Sequence, residues 1–374
     1  MCRSINYMKN IKLIFLASAT VLILTCAQNK DSNKAADKFI IRTGVNVSHW
    51  LSQSEKRGEK RKDYITKADF DTIASMGFDH VRIPIDEVQL WDSLGNKEKE
   101  AFNLLHDAIN WAINDKLRVI VDLHILRSHY FISKSNTLWT NPAEQEKLIE
   151  MWRQLSEELI KYPKEKLAYE ILNEPVAENP EDWNKILNKV IAEIRIKEPE
   201  RIIVVGSNRW QIPSMFPYLK IPENDSNLIL SFHFYTPLAL THHKASWTAT
   251  AEYTGSVNYP GQIVDTINYK KLSAKAVAAM RKDANGYFNK EILAKDILIA
   301  LKVAKEKKLP LFCGEFGVYP AIPENISLRY YKDLCQIFNE NHIAYCHWNY
   351  KGDFPVVNEK GAPNRKLVSI LVTK

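Results

Sequence analysis

Two glutamates carry the first sign of chemistry in this chain. Glu174 lies in Tyr169-Glu170-Ile171-Leu172-Asn173-Glu174-Pro175 and Glu315 in Leu311-Phe312-Cys313-Gly314-Glu315-Phe316-Gly317, each immediately beyond a short apolar run that reads as a buried strand. Taken singly, a glutamate in such a place reads as a surface or salt-bridged residue. Two carboxyls held on either side of one bond mean more, because cleavage of a glycoside uses such a pair, one as acid and base and the other as nucleophile or base. That chemistry requires a fold that brings the two together.

Short β-rich runs alternate with longer amphipathic segments along most of the chain. The runs predict strands at Gly44–Val47, His80–Ile85, Arg118–Leu123, Ala168–Leu172, Arg201–Gly206, Leu228–Phe234, Leu311–Gly314 and Ile343–Trp348. Helices are expected at Lys67–Met76, Lys97–Asp115, Pro142–Lys161, Glu181–Lys197, Lys295–Lys307 and Ser327–Asn341, several opened by Ser, Thr, Asn or Pro. Strand-helix alternation implies parallel strands, and eight such units predict a (β/α)8 TIM barrel in preference to the alternative, an open doubly wound sheet. In a ring of eight, strands four and seven are three apart, so their ends face one another across the mouth.

Parallel strands are buried on both faces and should be nearly all apolar, which makes the departures informative. Read with period two, Arg82 opposes Val81, Ile83 and Ile85; Asp122 and His124 oppose Val119, Val121 and Leu123; Ser231, His233 and Tyr235 oppose Leu230, Phe232 and Phe234. Polar groups at several strand ends converge at the carboxyl mouth, where barrel enzymes place their chemistry. A lone histidine on a strand is more often a satisfied core group, and Arg82 alone would read as a structural ion pair. The connection from Tyr235 to Leu309 is far longer than a barrel needs there. It predicts an inserted subdomain over 237–290 whose aromatics, Trp247 among them, wall a cleft beside His233 and Tyr235.

The amino terminus stands apart. Lys9 and Lys12 precede an apolar run, Leu13 to Leu24, that is too short for a transmembrane helix and reads as a signal peptide over 1–25. Leu22-Ile23-Leu24-Thr25-Cys26 resembles a bacterial lipoprotein box, with Thr25 where that box has a smaller residue. Cys26 is then the lipidation site, 26–38 a polar tether and 39–374 the catalytic domain, on an exported protein anchored to a bacterial membrane whose face is left open. Without Arg3, Lys9 and Lys12 the formal charge falls from +7 to +4, and no basic run is interleaved with aromatics, so nucleic acid is not expected as a partner. Cys313, Cys335 and Cys346 are expected to be free, mostly buried thiols, although Cys313 and Cys346 on neighbouring strands leave one bridge open. No metal-ligand spacing such as His-Glu-x-x-His occurs, His242-His243 is not enough for a site, and no metal or cofactor is expected.

Residues 39–374 resemble glycoside hydrolase family 5, the cellulase family A of clan A. The likeness rests on Gly44-Val45-Asn46, on Arg82 in Val81-Arg82-Ile83-Pro84, on His124 in Asp122-Leu123-His124 and on Asn173-Glu174-Pro175. It continues through Ser231-Phe232-His233-Phe234-Tyr235, Gly314-Glu315-Phe316-Gly317 and His347-Trp348-Asn349-Tyr350. Thr241-His242-His243-Lys244-Ala245-Ser246-Trp247, Tyr259-Pro260-Gly261-Gln262 and Trp348-Asn349-Tyr350-Lys351 are similar to segments of clostridial C-type endoglucanases within that family. A departure is Ile125-Leu126-Arg127-Ser128 after His124, where many members carry a Pro-Gly turn.

The resemblance implies a retaining mechanism with Glu174 as general acid and base and Glu315 as nucleophile. Arg82 and Tyr235 would favour the Glu315 anion, Asn173 would bond the sugar 2-hydroxyl, and His124 and His233 would orient the sugar and Glu174. Trp348 would offer a face for a pyranose ring. A monomeric endo-acting β-glucanase is expected, cutting β-1,4 and also mixed-linkage or β-1,3 bonds in a polysaccharide. Mannanase, xyloglucanase and exo-β-glucosidase activities remain alternatives, as does a non-catalytic glycan-binding lipoprotein, since the barrel core does not separate them. The anchor is tested by Cys26→Ser, which should move the protein from membrane to soluble fractions on centrifugation; unchanged fractionation would refute it.

Overall fold

The computed structural model describes residues 38–280 and 286–373. The chain divides into a short unit, Met1–Ile40, and the unit Ile41–Lys374 that carries the fold. The expected leader, Cys26 and all of the tether but Lys38 lie outside the described residues.

The eight expected strands form, and they close. They are β1 (Thr43–Asn46), β2 (His80–Asp86), β3 (Arg118–Ile125), β4 (Leu167–Glu170), β5 (Ile203–Gly206) and β6 (Leu228–His233), followed after the insertion by β9 (Leu311–Phe316) and β10 (Ala344–His347). Their order is β1-β10-β9-β6-β5-β4-β3-β2 with every pairing parallel, a closed (β/α)8 barrel. All seven residues of β2 are buried, including Arg82, because one face meets the helix layer and the other the barrel interior.

Helices α1 (Lys67–Ser75), α2 (Lys99–Asn114), α3 (Pro142–Leu159), α4 (Pro180–Lys197), α5 (Lys290–Lys307), α6 (Glu324–Glu340) and α7 (Arg365–Leu371) surround the strands. Their starts follow local chemistry. Asn141 and Asn179 accept from the amides of Ala143 and Glu181 with proline at the first helical position, and Asn289 accepts from Ile292, so orphan donors are satisfied where each helix begins. α2 buries Phe102, Leu105 and Ile109, one face at helical spacing. Between β5 and β6 stands only a 3-10 turn, Pro213–Tyr218, whose two prolines withhold the amides a longer helix needs. No helix among the described residues is long and apolar enough to cross a membrane.

Of the strand ends that differ from expectation, those of β4 and β9 bear on the site. β4 stops at Glu170, two residues early, because the chain turns to bring Asn173 and Glu174 to the mouth, with Glu174 in the left-handed region at φ 44°. β9 runs on through Glu315 to Phe316, so Glu315 belongs to the strand rather than lying beyond it. Gly314 does not end the strand. It is there because a Cβ would stand 2.9 Å from Ser231 Oγ and 3.1 Å from His233 Nε2 on the neighbouring β6.

The insertion after β6 holds the short helices Leu238–Thr241 and Ala274–Ala279 and an antiparallel ribbon of β7 (Gly261–Gln262) and β8 (Tyr287–Phe288). It is tied to α6, where the Tyr259 hydroxyl donates to Asp333 at 2.7 Å and Arg329 Nε donates to the Tyr259 carbonyl at 2.8 Å. Cys313, Cys335 and Cys346 are free and buried, so the bridge left open does not form.

β1 approaches β2 closely enough to need glycine at 44. A Cβ there would lie 2.4 Å from Nε2 of His80, whose ring is fully buried and fixed by a 2.7 Å bond between Nδ1 and Asp79. Gly44→Ala should therefore cost about 1–3 kcal/mol, the range for overpacking a filled interior. Urea denaturation measures it, and an unchanged midpoint would show that His80 yields freely.

Candidate active site

Strand ends deliver the candidate residues to one place. Arg82 from β2, His124 from β3, Asn173 and Glu174 after β4, His233 and Tyr235 at the end of β6, Glu315 from β9 and Trp348 after β10 meet at the carboxyl mouth. With Trp247 of the insertion, several of them line a cleft of about 750 Å³.

At its base Arg82 is fully buried, and every arm of its guanidinium is engaged. Nε donates to Glu170 at 2.6 Å, Nη1 to Glu315 at 2.7 Å and Asn46 at 2.9 Å, and Nη2 to Asn173 at 2.9 Å while lying 3.0 Å from Asp122. Burial opposes the charge on Arg82, but Asp122, Glu170 and Glu315 outweigh it and raise its pKa well above the ordinary value. One cation thus faces three carboxylates, with Glu174 close by as a fourth. Not all of them can hold a negative charge out of water.

The site resolves this by retaining protons. Burial lifts Asp122 to about 7 against the pull of Arg82, and burial likewise raises Glu170. Glu174 is raised well above the carboxylate range, first by burial and then by the charge of Glu315. Burial raises Glu315 too, but Arg82 and the Tyr235 hydroxyl, which donates to Oε2 at 3.0 Å, pull it back. Of the facing pair, Glu315 is the carboxyl that ionises and Glu174 the one that keeps its proton. His233 Nδ1 lies 2.8 Å from Glu174 Oε1 and 3.7 Å from Glu315 Oε2, and one ligand atom from each of these three residues falls within 4.8 Å of the others. Burial pushes His233 well below its ordinary value and His124 to about 3, so both rings are neutral at physiological pH.

Neutral rings leave room for a polar ligand. His124 Nδ1 bonds Asp122 Oδ2 at 2.7 Å, and its ring stacks on Trp348 at 5.5 Å with only 9° between planes. Nε2 of His124, Nε2 of His233 and Nδ2 of Asn173 are buried without a partner among the described residues. Unpaired buried polar atoms cost free energy, and sugar hydroxyls would satisfy all three. Trp247 is 43% exposed and packs edge-on against Tyr319 at 5.2 Å.

Residues 40–353 match the cellulase family, glycosyl hydrolase family 5. Endoglucanase C of Acetivibrio thermocellus is 32% identical over 340 residues, which are 89% of this chain and 98% of that one. The chain belongs to glycosyl hydrolase family 5. Cellodextrinase A of Ruminococcus flavefaciens is 26% identical over 80% of this chain and 83% of its own. The fold is shared with a hyperthermophilic endo-β-1,4-glucanase solved with substrate, with a TM-score of 0.72, 24% identity and coverage of 89% and 97%. As a family 5 member the protein is a glycoside hydrolase, and the non-catalytic alternative falls away.

Several residues of this family 5 site have no role assigned from the sequence, Asn46 among them although it stands in the Gly44-Val45-Asn46 motif. Asn46 braces the Arg82 guanidinium and donates to the carbonyls of Gly314 and His347. Glu170 is fully buried on Arg82, and a charge in the middle of an apolar strand was its available signal. Gln211 bonds both Glu170 and the Glu174 amide. Trp210, 43% exposed in the cleft, donates from Nε1 to the Phe131 carbonyl at 2.8 Å.

Because the charge of Glu315 raises Glu174, Glu315→Gln should lower the titration of the Glu174 carboxyl. Carbon-13 NMR of labelled glutamate, assigned with Glu174→Gln, measures it. A titration that stays put or moves up would mean that the two groups do not sense each other.

Proposed function

We propose that this chain is a retaining, endo-acting β-glucanase that cuts β-1,4-glucosidic bonds, and mixed-linkage or β-1,3 bonds where the cleft admits them, by double displacement. Glu315 attacks the anomeric carbon and forms a glycosyl ester while Glu174 gives its proton to the departing oxygen. Glu174, now a carboxylate, takes a proton from water, which attacks the same carbon and releases Glu315. Arg82 and Tyr235 hold the nucleophile, Asn173 faces the 2-hydroxyl, His124 and His233 orient sugar and acid, and Trp348 and Trp247 offer rings for stacking.

The observation that carries the reading is the closeness of the pair. One oxygen of Glu174 lies within 4.8 Å of one of Glu315, a closeness that supports a retaining pair, whose carboxyls stand about 5–5.5 Å apart, over an inverting one at about 6.5–9.5 Å. Opposite ionisation of two neighbouring carboxyls supports the division of labour. For linkage, support comes from relatives named as endoglucanases, and the cleft at the mouth fits attack within a chain. The leader and Cys26 extend the proposal to an exported, lipid-anchored enzyme acting on polysaccharide.

Proton NMR of the first products from a soluble β-glucan should show the β-anomer, with α-product ruling the mechanism out. Glu174→Ala should keep activity on aryl glycosides with acidic leaving groups and be accelerated by azide, giving a β-glycosyl azide, whereas Glu315→Gln should be inert. Azide rescue at Glu315 instead would exchange the roles. Release of reducing ends from cellulose derivative, lichenan, laminarin, mannan and xyloglucan, measured in parallel, sets the linkage.

A further inference from the structure

Gln211 holds a place that the reaction scheme above leaves unexplained. It is fully buried, and its amide joins two groups of the site: Oε1 accepts from the Glu174 backbone amide at 2.9 Å, and Nε2 donates to Glu170 Oε1 at 3.2 Å. Its own carbonyl accepts from the His233 amide at 3.0 Å. One side chain and its backbone therefore touch Glu174, the histidine bonded to Glu174, and the carboxylate that grips Arg82.

The surrounding fold is shaped to put that amide there. Arg209, Trp210 and Gln211 are three successive non-glycine residues in the left-handed region, at φ 57°, 59° and 54°, a conformation that side chains disfavour and neighbours must impose. The loop is clamped to the segment after Glu174, since Asn208 bonds both the amide and the carbonyl of Ala177 at 2.9 Å and Trp210 N donates to the Pro175 carbonyl. Gly206, the last residue of β5, makes the room. A Cβ at 206 would stand 2.1 Å from Gln211 Nε2 and 2.4 Å from Cδ. Glu174 is itself left-handed at φ 44°, and Gln211 Oε1 is the acceptor for its amide.

We infer that Gln211 is a positioning residue for Glu174: it fixes the backbone from which Glu174 delivers its proton, and Gly206 is glycine so that it can. The inference rests on the assignment of Glu174 as acid. Its signature is a loss that depends on the leaving group, because a misplaced acid matters only where the departing oxygen needs a proton. Gln211→Leu should lower kcat/KM on a cello-oligosaccharide about 100-fold, the scale of a misplacement near 1 Å, and on a 2,4-dinitrophenyl cellobioside only a few-fold. Gly206→Ala, which keeps the amide but displaces it, should give the same split and carries the test if Gln211→Leu does not fold. Glu174→Ala measured beside them separates the two ideas. If it shows no split, the assignment of Glu174 fails. If it shows the split and both other variants lose equally on the two substrates, or lose nothing, Gln211 is packing and the inference is overturned.

Discussion

A single buried cation organises the mouth of this barrel. Arg82 is wholly out of water on β2, where an unpaired charge would cost several kcal/mol, so the fold must bring it partners. Those partners come from different strands: Asn46 from β1, Asp122 from β3, Glu170 from β4 and Glu315 from β9, with Asn173 from the turn after β4. No two of these five share a strand. Satisfying one guanidinium therefore fixes the positions of five elements relative to one another. A substitution at any of them leaves a donor or a carboxylate uncompensated.

The same cation sets the protonation states. It is outnumbered: burial raises all four carboxyls, and the charge of Arg82 pulls each of them back. Glu315 bonds Arg82 and a tyrosine hydroxyl; among the described residues, the Glu174 side chain bonds a neutral histidine. Two chemically identical groups are thereby made unlike by what surrounds them. His124 and His233 contribute by being uncharged. Protonated, either would compete with Arg82 for the carboxylates and remove the reason for Glu174 to stay an acid.

Much of this could be read from the sequence, and what could not has a physical cause. Alternation exposed Arg82, His124, His233 and Tyr235, because a polar residue among buried apolar ones must face something that pays for it. Glu170, three residues before Asn173-Glu174-Pro175, obeys the same rule. Gln211 gave no signal. Its loop takes three left-handed residues without a glycine, and left-handed turns are recognised by glycine or asparagine. Gly206 and Gly314 stand last in their expected strands, and each is small because a neighbouring polar side chain occupies the space where its Cβ would be. Close approach between elements is a property of three dimensions and leaves no local pattern.

The walls of the cleft are built on a different principle from the centre. Trp247 leans edge-on against Tyr319 and Phe354, and the insertion that carries it is bonded to α6 and, through Thr241, to the amide of Tyr319. Trp210, which lines the same cleft, is pinned by its indole nitrogen to the Phe131 carbonyl. Both rings are held by their edges with much of their surface exposed, which suits stacking on a sugar but does not distinguish one hexose from another. Charge and proton placement at the centre depend on a few residues whose types are forced, so reaction class follows from them. The aromatic faces that line the cleft stand on loops, and loops tolerate change without disturbing Arg82 and its partners. The centre and the walls can therefore change separately, because only the centre is tied to the buried charge.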